Sequence, residues 1–147
     1  MTKAFDCAVR LLARREHGMH ELITKLTSKG YLLQESKEAV DKCQELDLQS
    51  DKRFAETICY TRFQQGYGPV RIMQELKSNH INKEIAAEAL NAYHGQWEKQ
   101  ASIVWQKKFK GLKSALLSDS QKQLRFLIYR GFPAEIAAKI VHNNNKI

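Results

Sequence analysis

The chain has 147 residues, 43% hydrophobic and 27% charged, the proportions of a folded protein and not of a disordered or fibrous one. Its formal net charge of +8 points to a polyanion or an acidic protein face as partner, with solubility as the competing reading. No apolar run approaches the ~18 residues of a membrane span and residues 1–6 lack the apolar core of a secretory signal, so no membrane association and a cytoplasmic location are expected.

In chain order, the apolar positions fall into nine stripes at helical spacing. Phe5, Ala8, Leu11 and Leu12 form the first, which ends at His17-Gly18. Met19, Leu22, Ile23 and Leu26 form the second, which stops at Lys29-Gly30, a cation followed by a C-cap glycine. A third helix is predicted from about Ser36 to Leu46, with Ala39, Val40, Cys43 and Leu46 facing inward. Ser50-Asp51 offers N-cap chemistry for a fourth helix carrying Phe54, Ala55, Ile58 and Phe63. Gly66-Tyr67-Gly68-Pro69 ends it, and Pro69 suits the first turn of a fifth helix with Ile72, Met73 and Leu76 inward. Asn82 caps a sixth with Ile85, Ala86, Ala89 and Leu90. The seventh begins near Trp97 and runs through Ala101, Val104, Trp105, Lys108 and Phe109. A longer loop is expected over Gly111–Asp119, then an eighth helix with Leu124, Leu127 and Ile128, and a ninth starting at Pro133. The tail from His142 to Asn145 is expected to end that helix and fray. No segment alternates apolar and polar residues as a strand would.

These stripes repeat. Ala8-x-x-Leu11-Leu12-x-x-Arg15 returns as Ala55-x-x-Ile58-Cys59-x-x-Arg62 and as Ala101-x-x-Val104-Trp105-x-x-Lys108. Glu84-Ile85-Ala86-Ala87 returns as Glu135-Ile136-Ala137-Ala138. The expected fold is therefore all-α: three tandem three-helix repeats, at residues 1–48, 49–95 and 96–147, in an elongated, curved array on the order of 70–80 Å long. Charge is not repeated. Residues 1–50 hold eight cations and eight carboxylates, residues 51–95 six and five, and residues 96–147 ten and three. Nearly all of the surplus belongs to the third repeat.

Signals of catalysis are absent from this pattern. Gly66-x-Gly68 lacks the third glycine of a dinucleotide fingerprint and follows a helix, and Gly111-Leu112-Lys113-Ser114 lacks the spacing of a phosphate-binding loop. His17 and His20 are spaced for one helix face, but no further ligands cluster nearby, so an exposed turn is expected and no metal or other cofactor. Glu16-His17 has no nucleophile or second carboxylate placed to use it. Cys7, Cys43 and Cys59 show no C-x-x-C spacing and read as core thiols in a reducing compartment. The chain reads as a non-enzyme.

The basic features carry more. Lys107, Lys108, Lys110 and Lys113 lie in a stretch from Lys99 to Lys113 without a carboxylate, beside the packing pair Trp105 and Phe109. Arg15, Arg62 and Lys108 share one repeat position and, with Arg14 and Arg71, could form a second basic row; capping of helix C-terminal carbonyls is the competing role. Arg125 and Arg130 add to the candidates in the third repeat.

Four motifs, in order along essentially the whole chain, resemble the regulatory protein RecX family. They are Arg14-Arg15-Glu16-His17 with Glu21-Leu22; Asp51-x-x-Phe54-Ala55; Gly66-x-Gly68-Pro69-x-Arg71-Ile72-x-x-Glu75-Leu76; and Arg130-Gly131-Phe132 with Ile136. Gly18, Ser50 and His80 depart from the family pattern, which has serine, a second aspartate and glycine there. The resemblance implies a negative regulator of RecA recombinase. Such a protein sits in the groove of the RecA filament on single-stranded DNA and inhibits ATP hydrolysis, strand exchange and co-protease activity, and some members bind DNA directly. A monomer is expected. A helix-turn-helix DNA binder built on Pro69 to Leu90 is the alternative, although its recognition helix, Asn82 to Tyr93, would carry Glu84 and Glu88 against Lys83 alone.

Overall fold

The computed structural model describes residues 2–109 and 117–145. Among them are nine α-helices and no strand: α1 (Lys3–Arg14), α2 (Met19–Ser28), α3 (Leu33–Glu45), α4 (Asp51–Gln64), α5 (Pro69–Ser78), α6 (Lys83–Asn91), α7 (Trp97–Phe109), α8 (Leu117–Tyr129) and α9 (Ala134–Asn144). No helix among the described residues is long and apolar enough to cross a membrane.

Four of the starts have an identifiable side-chain cap. Thr2 accepts the Phe5 amide at 3.1 Å, the Ser50 hydroxyl accepts that of Arg53 at 3.2 Å, and the Asn82 side chain accepts that of Glu84 at 2.8 Å. Where α2 begins, Gly18 has no side chain to do this, and the Asp51 carboxylate accepts the Met19 amide at 2.8 Å instead. The expected N-cap residue of the fourth helix thus serves the second.

The repeats superimpose in burial. Leu26, Leu76 and Leu127 occupy one register and are buried, as are Ser36, Ala86 and Ala137 in another. Ser36 is admitted to the core because its hydroxyl donates to the Leu32 carbonyl at 3.0 Å. The register of Leu22 and Ile72 holds Gln123 in the third repeat. It is also buried, with its Oε1 accepting from the Trp105 indole at 3.0 Å and from Asn145 at 2.7 Å.

Two compact units partition the chain, residues 1–58 with 76–89 and residues 59–75 with 90–147. In the first, Ala4, Phe5, Ala8, Leu22, Leu26 and Val40 are the heart of an apolar cluster from α1, α2 and α3. In the second, Ala101, Trp105, Leu127, Phe132, Ala137 and Ile140 do the same for α7, α8 and α9. Cys7, Cys43 and Cys59 are buried, and burial pushes the Cys43 pKa up.

Several local expectations need correction. α3 starts at Leu33 and stops at Glu45, and Leu46 faces solvent because the chain turns away through Asp47 at φ 59°. Met19 is likewise exposed at the first position of α2. α8 begins at Leu117, inside the expected 111–119 loop, whose residues 111–116 lie outside the described ones. α9 runs through His142 to Asn144 instead of fraying there, since the Asn144 side chain donates to the Ile140 carbonyl at 2.8 Å and Asn145 reaches Gln123. Pro133 is the N-cap of α9 and not its first helical residue.

His17 is the largest correction, being fully buried instead of lying on an exposed turn. Its Nδ1 lies 3.0 Å from the Arg15 carbonyl and its Nε2 3.1 Å from Lys25 Nζ. An ammonium can only donate, so Nε2 accepts, Nδ1 carries the proton, and the ring is neutral. Burial, chiefly, lowers its pKa. Beside it the buried Gln49 side chain donates to the His17 carbonyl at 3.1 Å and to Asp51 at 3.0 Å. The His17 motif and the Asp51 motif thus meet in one polar network through the buried Gln49.

Candidate partner-binding surface

In the first compact unit Arg15, its member of the repeated position, is engaged within the chain. Arg15 grips Glu21 with two hydrogen bonds, at 3.1 and 2.6 Å. Burial works against the Glu21 carboxylate, but the Arg15 hydrogen bonds and charge reverse it, and its pKa falls below the ordinary value. Arg14 is exposed at the last position of α1 and makes no ion pair among the described residues. Arg53 binds Glu16 at 3.0 Å and Asp47 at 2.8 Å, which accounts for the Glu16 carboxylate.

The second compact unit repeats the clamp once and then abandons it. Arg62 holds Glu75 through Nε at 2.7 Å and through a terminal nitrogen at 2.9 Å, and these hydrogen bonds raise its pKa. Glu75 immediately precedes the buried Leu76; the residue immediately before Leu127 is Phe126. Lys108, which shares the repeat position of Arg15 and Arg62, therefore meets a ring instead of a carboxylate, with its ammonium 5.5 Å from the Phe126 centroid. Its charge is left without a neutralising partner among the described residues.

Lys108 is the end of a longer series. Arg130 lies over Phe126 at 5.5 Å and over Tyr67 at 4.8 Å; Arg71 lies over Tyr67 at 4.3 Å and Tyr129 at 5.2 Å. Cations and rings alternate from Lys108 to Tyr129, and each cation–ring contact is worth about 0.5–1 kcal/mol at exposed sites. Neither guanidinium forms an ion pair among the described residues: Arg71 reaches the Tyr129 carbonyl and Arg130 the Gln65 carbonyl, both at 3.4 Å. Each guanidinium lies over rings and neither is spent on a carboxylate, so the N–H groups not used on those carbonyls remain for an external anion.

A backbone joint sets this series in place. The Gly68 amide donates to the Arg130 carbonyl at 2.8 Å and the Val70 amide to the Gly131 carbonyl at 2.9 Å, which ties the start of α5 to the end of α8. A Cβ on Gly68 would lie 2.4 Å from the Gly131 oxygen, and one on Gly131 would lie 2.4 Å from Arg71 Cβ. Gly131 is also at φ 102°, in the left-handed region. The Gly68-Pro69-x-Arg71-Ile72 motif and the Arg130-Gly131-Phe132 motif are the two halves of that joint. Phe132 and Ile72 are buried beneath it.

Of the remaining candidates, Lys107 and Arg125 are exposed, and Lys110 and Lys113 lie outside the described residues. Sequence reasoning did not single out Tyr67, Phe126 or Tyr129; aromatic residues within four positions of Arg71 and Arg130 were the available signal. Lys107, Lys108 and Arg130 rim a cavity of about 280 Å³ with Ile103, Val104 and Phe126 among its apolar lining. No group of three or more His, Cys, Asp and Glu side chains among the described residues is arranged to hold a metal ion.

Three successive family descriptions match the chain: the first three-helix domain of RecX over residues 4–43, the second over 50–90 and the third over 96–141. The chain belongs to the RecX family. A regulatory protein RecX of Legionella pneumophila (strain Corby) is 44% identical over 140 residues, spanning 95% of this chain and 93% of that one. That of Vibrio vulnificus (strain CMCP6) is 37% identical over 135 residues, spanning 92% and 88%. The crystal structure of RecX from Lactobacillus salivarius shares the fold, with a TM-score of 0.81 at 23% identity over 99% of this chain and 96% of that one. The RecX relatives carry the name of regulatory proteins, and the all-α triplicate of three-helix repeats is the family's architecture.

Proposed function

We propose that this RecX-family chain is a non-enzymatic negative regulator of RecA recombinase. It binds the RecA filament on single-stranded DNA along the filament groove and restrains ATP hydrolysis, strand exchange and co-protease activity. It acts in the cytoplasm as a monomer, and so bears on recombinational repair and the SOS response. The observation that carries this reading is the family match over three consecutive domains. The contact falls on the third repeat and the adjoining Arg71, because there the repeated cation loses its internal carboxylate. Arg15 and Arg62, already paired with Glu21 and Glu75, serve the scaffold first and the partner second.

Titration into RecA-catalysed, single-strand-dependent ATP hydrolysis tests the reading, with substoichiometric inhibition expected. A variant with Lys107, Lys108 and Lys110 changed to Glu stays folded and loses inhibition at moderate salt, where exposed charges still act over roughly 8–10 Å. Inhibition unchanged by that variant removes the basic surface from the mechanism; no inhibition by the parent chain removes the regulator itself. Direct recognition of DNA by α6 is the poorer reading, since Glu84 and Glu88 are both exposed on that helix.

A further inference from the structure

We infer that the cavity rimmed by Lys107, Lys108 and Arg130 is a docking pocket for a protein segment in which carboxylates flank an aliphatic or aromatic side chain. The inference rests on the reading of this chain as a protein-binding regulator and gives the chemistry of the partner at one place.

Three observations combine. First, the rim is cationic and unneutralised: Lys107, Lys108 and Arg130 make no ion pair among the described residues, and no carboxylate lines the cavity. The same repeat position is occupied by an internal arginine–glutamate clamp in the two earlier repeats, at Arg15–Glu21 and Arg62–Glu75. The third copy therefore offers outward what the others satisfy inward. Second, part of the lining is apolar. Ile103 is 40% exposed in mid-helix, an exposure its neighbours Val104 and Trp105 do not share, and it faces this cavity together with Val104 and Phe126. A cavity of about 280 Å³ has room for one large side chain. Third, the guanidinium of Arg130 lies 4.8 Å from the Tyr67 ring centroid and 5.5 Å from that of Phe126, contacts that favour this placement of the fork before a carboxylate arrives.

The same features argue for a protein occupant over a nucleic-acid strand. A single strand is held by free ring faces on which bases stack. Here Phe126 already carries Lys108 and Arg130, both at 5.5 Å from its centroid, and the rest of the apolar lining is aliphatic. An aliphatic lining below a cationic rim complements a peptide that alternates acid and hydrophobe.

The test uses the full chain, no recombinase, and a fluorescein-labelled peptide repeating Glu-Glu-Leu, with binding read by anisotropy at low and moderate salt. Saturable binding is expected, weakened about tenfold or more by Lys108→Ala with Arg130→Gln. Ile103→Glu gives a comparable loss; its position is already partly exposed, so the variant keeps the fold by circular dichroism. A peptide repeating Gln-Gln-Leu does not bind. Absence of binding at low salt, or equal affinity in parent and both variants, overturns the proposal. Tighter binding of an oligothymidylate that displaces the peptide also overturns it, in favour of a nucleic-acid groove. Because no recombinase is present, loss of RecA inhibition in the separate ATP-hydrolysis assay leaves this result standing, and the reverse also holds.

Discussion

His17 shows how a single side chain couples this fold to pH. The ring is neutral in the folded chain, wedged between the Arg15 carbonyl and Lys25, and its pKa is lowered below 6.5. The unfolded chain therefore takes up a proton at a higher pH than the folded one. Stability from this group is complete above about pH 6.5 and drains as the pH falls toward the lowered value. Urea denaturation at pH 8, 6.5 and 5 should show that decline, and His17→Gln should show a flatter profile from a lower starting point. Gly68 sets a steric limit of another kind. Gly68→Ala places a methyl 2.4–2.6 Å from the Gly131 and Phe132 backbone, which cannot yield as a flexible side chain would. A loss of about 1–3 kcal/mol is expected from the denaturation midpoint. At His80 the backbone adopts φ 59°, where the equivalent Gly30 and Gly131 sit at 101° and 102°. The imidazole stacks on His20 at 3.6 Å between ring centroids, a contact glycine could not make.

Among the helices, α8 is the copy that diverges most from its counterparts α2 and α5. Its buried Gln123 replaces an aliphatic residue to satisfy the indole of Trp105, which itself stands where the other repeats have Leu12 and Cys59. The two changes belong together. Gln123→Leu restores the aliphatic register but orphans a buried N–H, so a net loss of about 1–3 kcal/mol is expected. Combining it with Trp105→Phe should recover part of that loss, a coupling readable in a double-mutant cycle. The helices themselves were legible in the sequence because apolar spacing, Ser50, Asn82, Pro69 and the glycines are local signals. What was not legible is non-local. His17 looked like an exposed turn because one of its stabilising neighbours, Gln49, is 32 residues away. The end of α9 looked frayed because Asn145 is held by Gln123. The cations of the candidate surface could be named from sequence, but not which were already paired. Arg15 meets Glu21 six residues on, whereas Arg62 meets Glu75 thirteen residues on, so no fixed spacing discloses the clamp.

At the scale of the molecule, the family's domains and the compact units do not share boundaries. The third family domain covers residues 96–141, yet the unit containing it also takes in residues 59–75. Those residues supply Tyr67 beneath two guanidiniums and the Phe63 carbonyl that accepts from the Gln100 side chain at 2.8 Å. A fragment starting at residue 96 should therefore melt earlier and less cooperatively than one starting at residue 59. Circular dichroism melts of the two decide the matter; equal midpoints would show that residues 59–75 contribute little. The charge surplus obeys the same logic. It is concentrated by sequence in residues 96–147, but Arg130 from that segment and Arg71 from residues 59–75 both lie over the ring of Tyr67.

The amides of Gly68 and Val70 sit at the beginning of a helix, where the first N–H groups have no carbonyl of their own helix to bind and exchange with solvent quickly. Here both are held by the carbonyls of Arg130 and Gly131. They are a built-in reporter: their hydrogen exchange measures how often the start of α5 parts from the end of α8. Slow exchange at these two positions, with fast exchange at the unprotected start of α9, would put a free energy on the joint that orients Arg71 and Arg130.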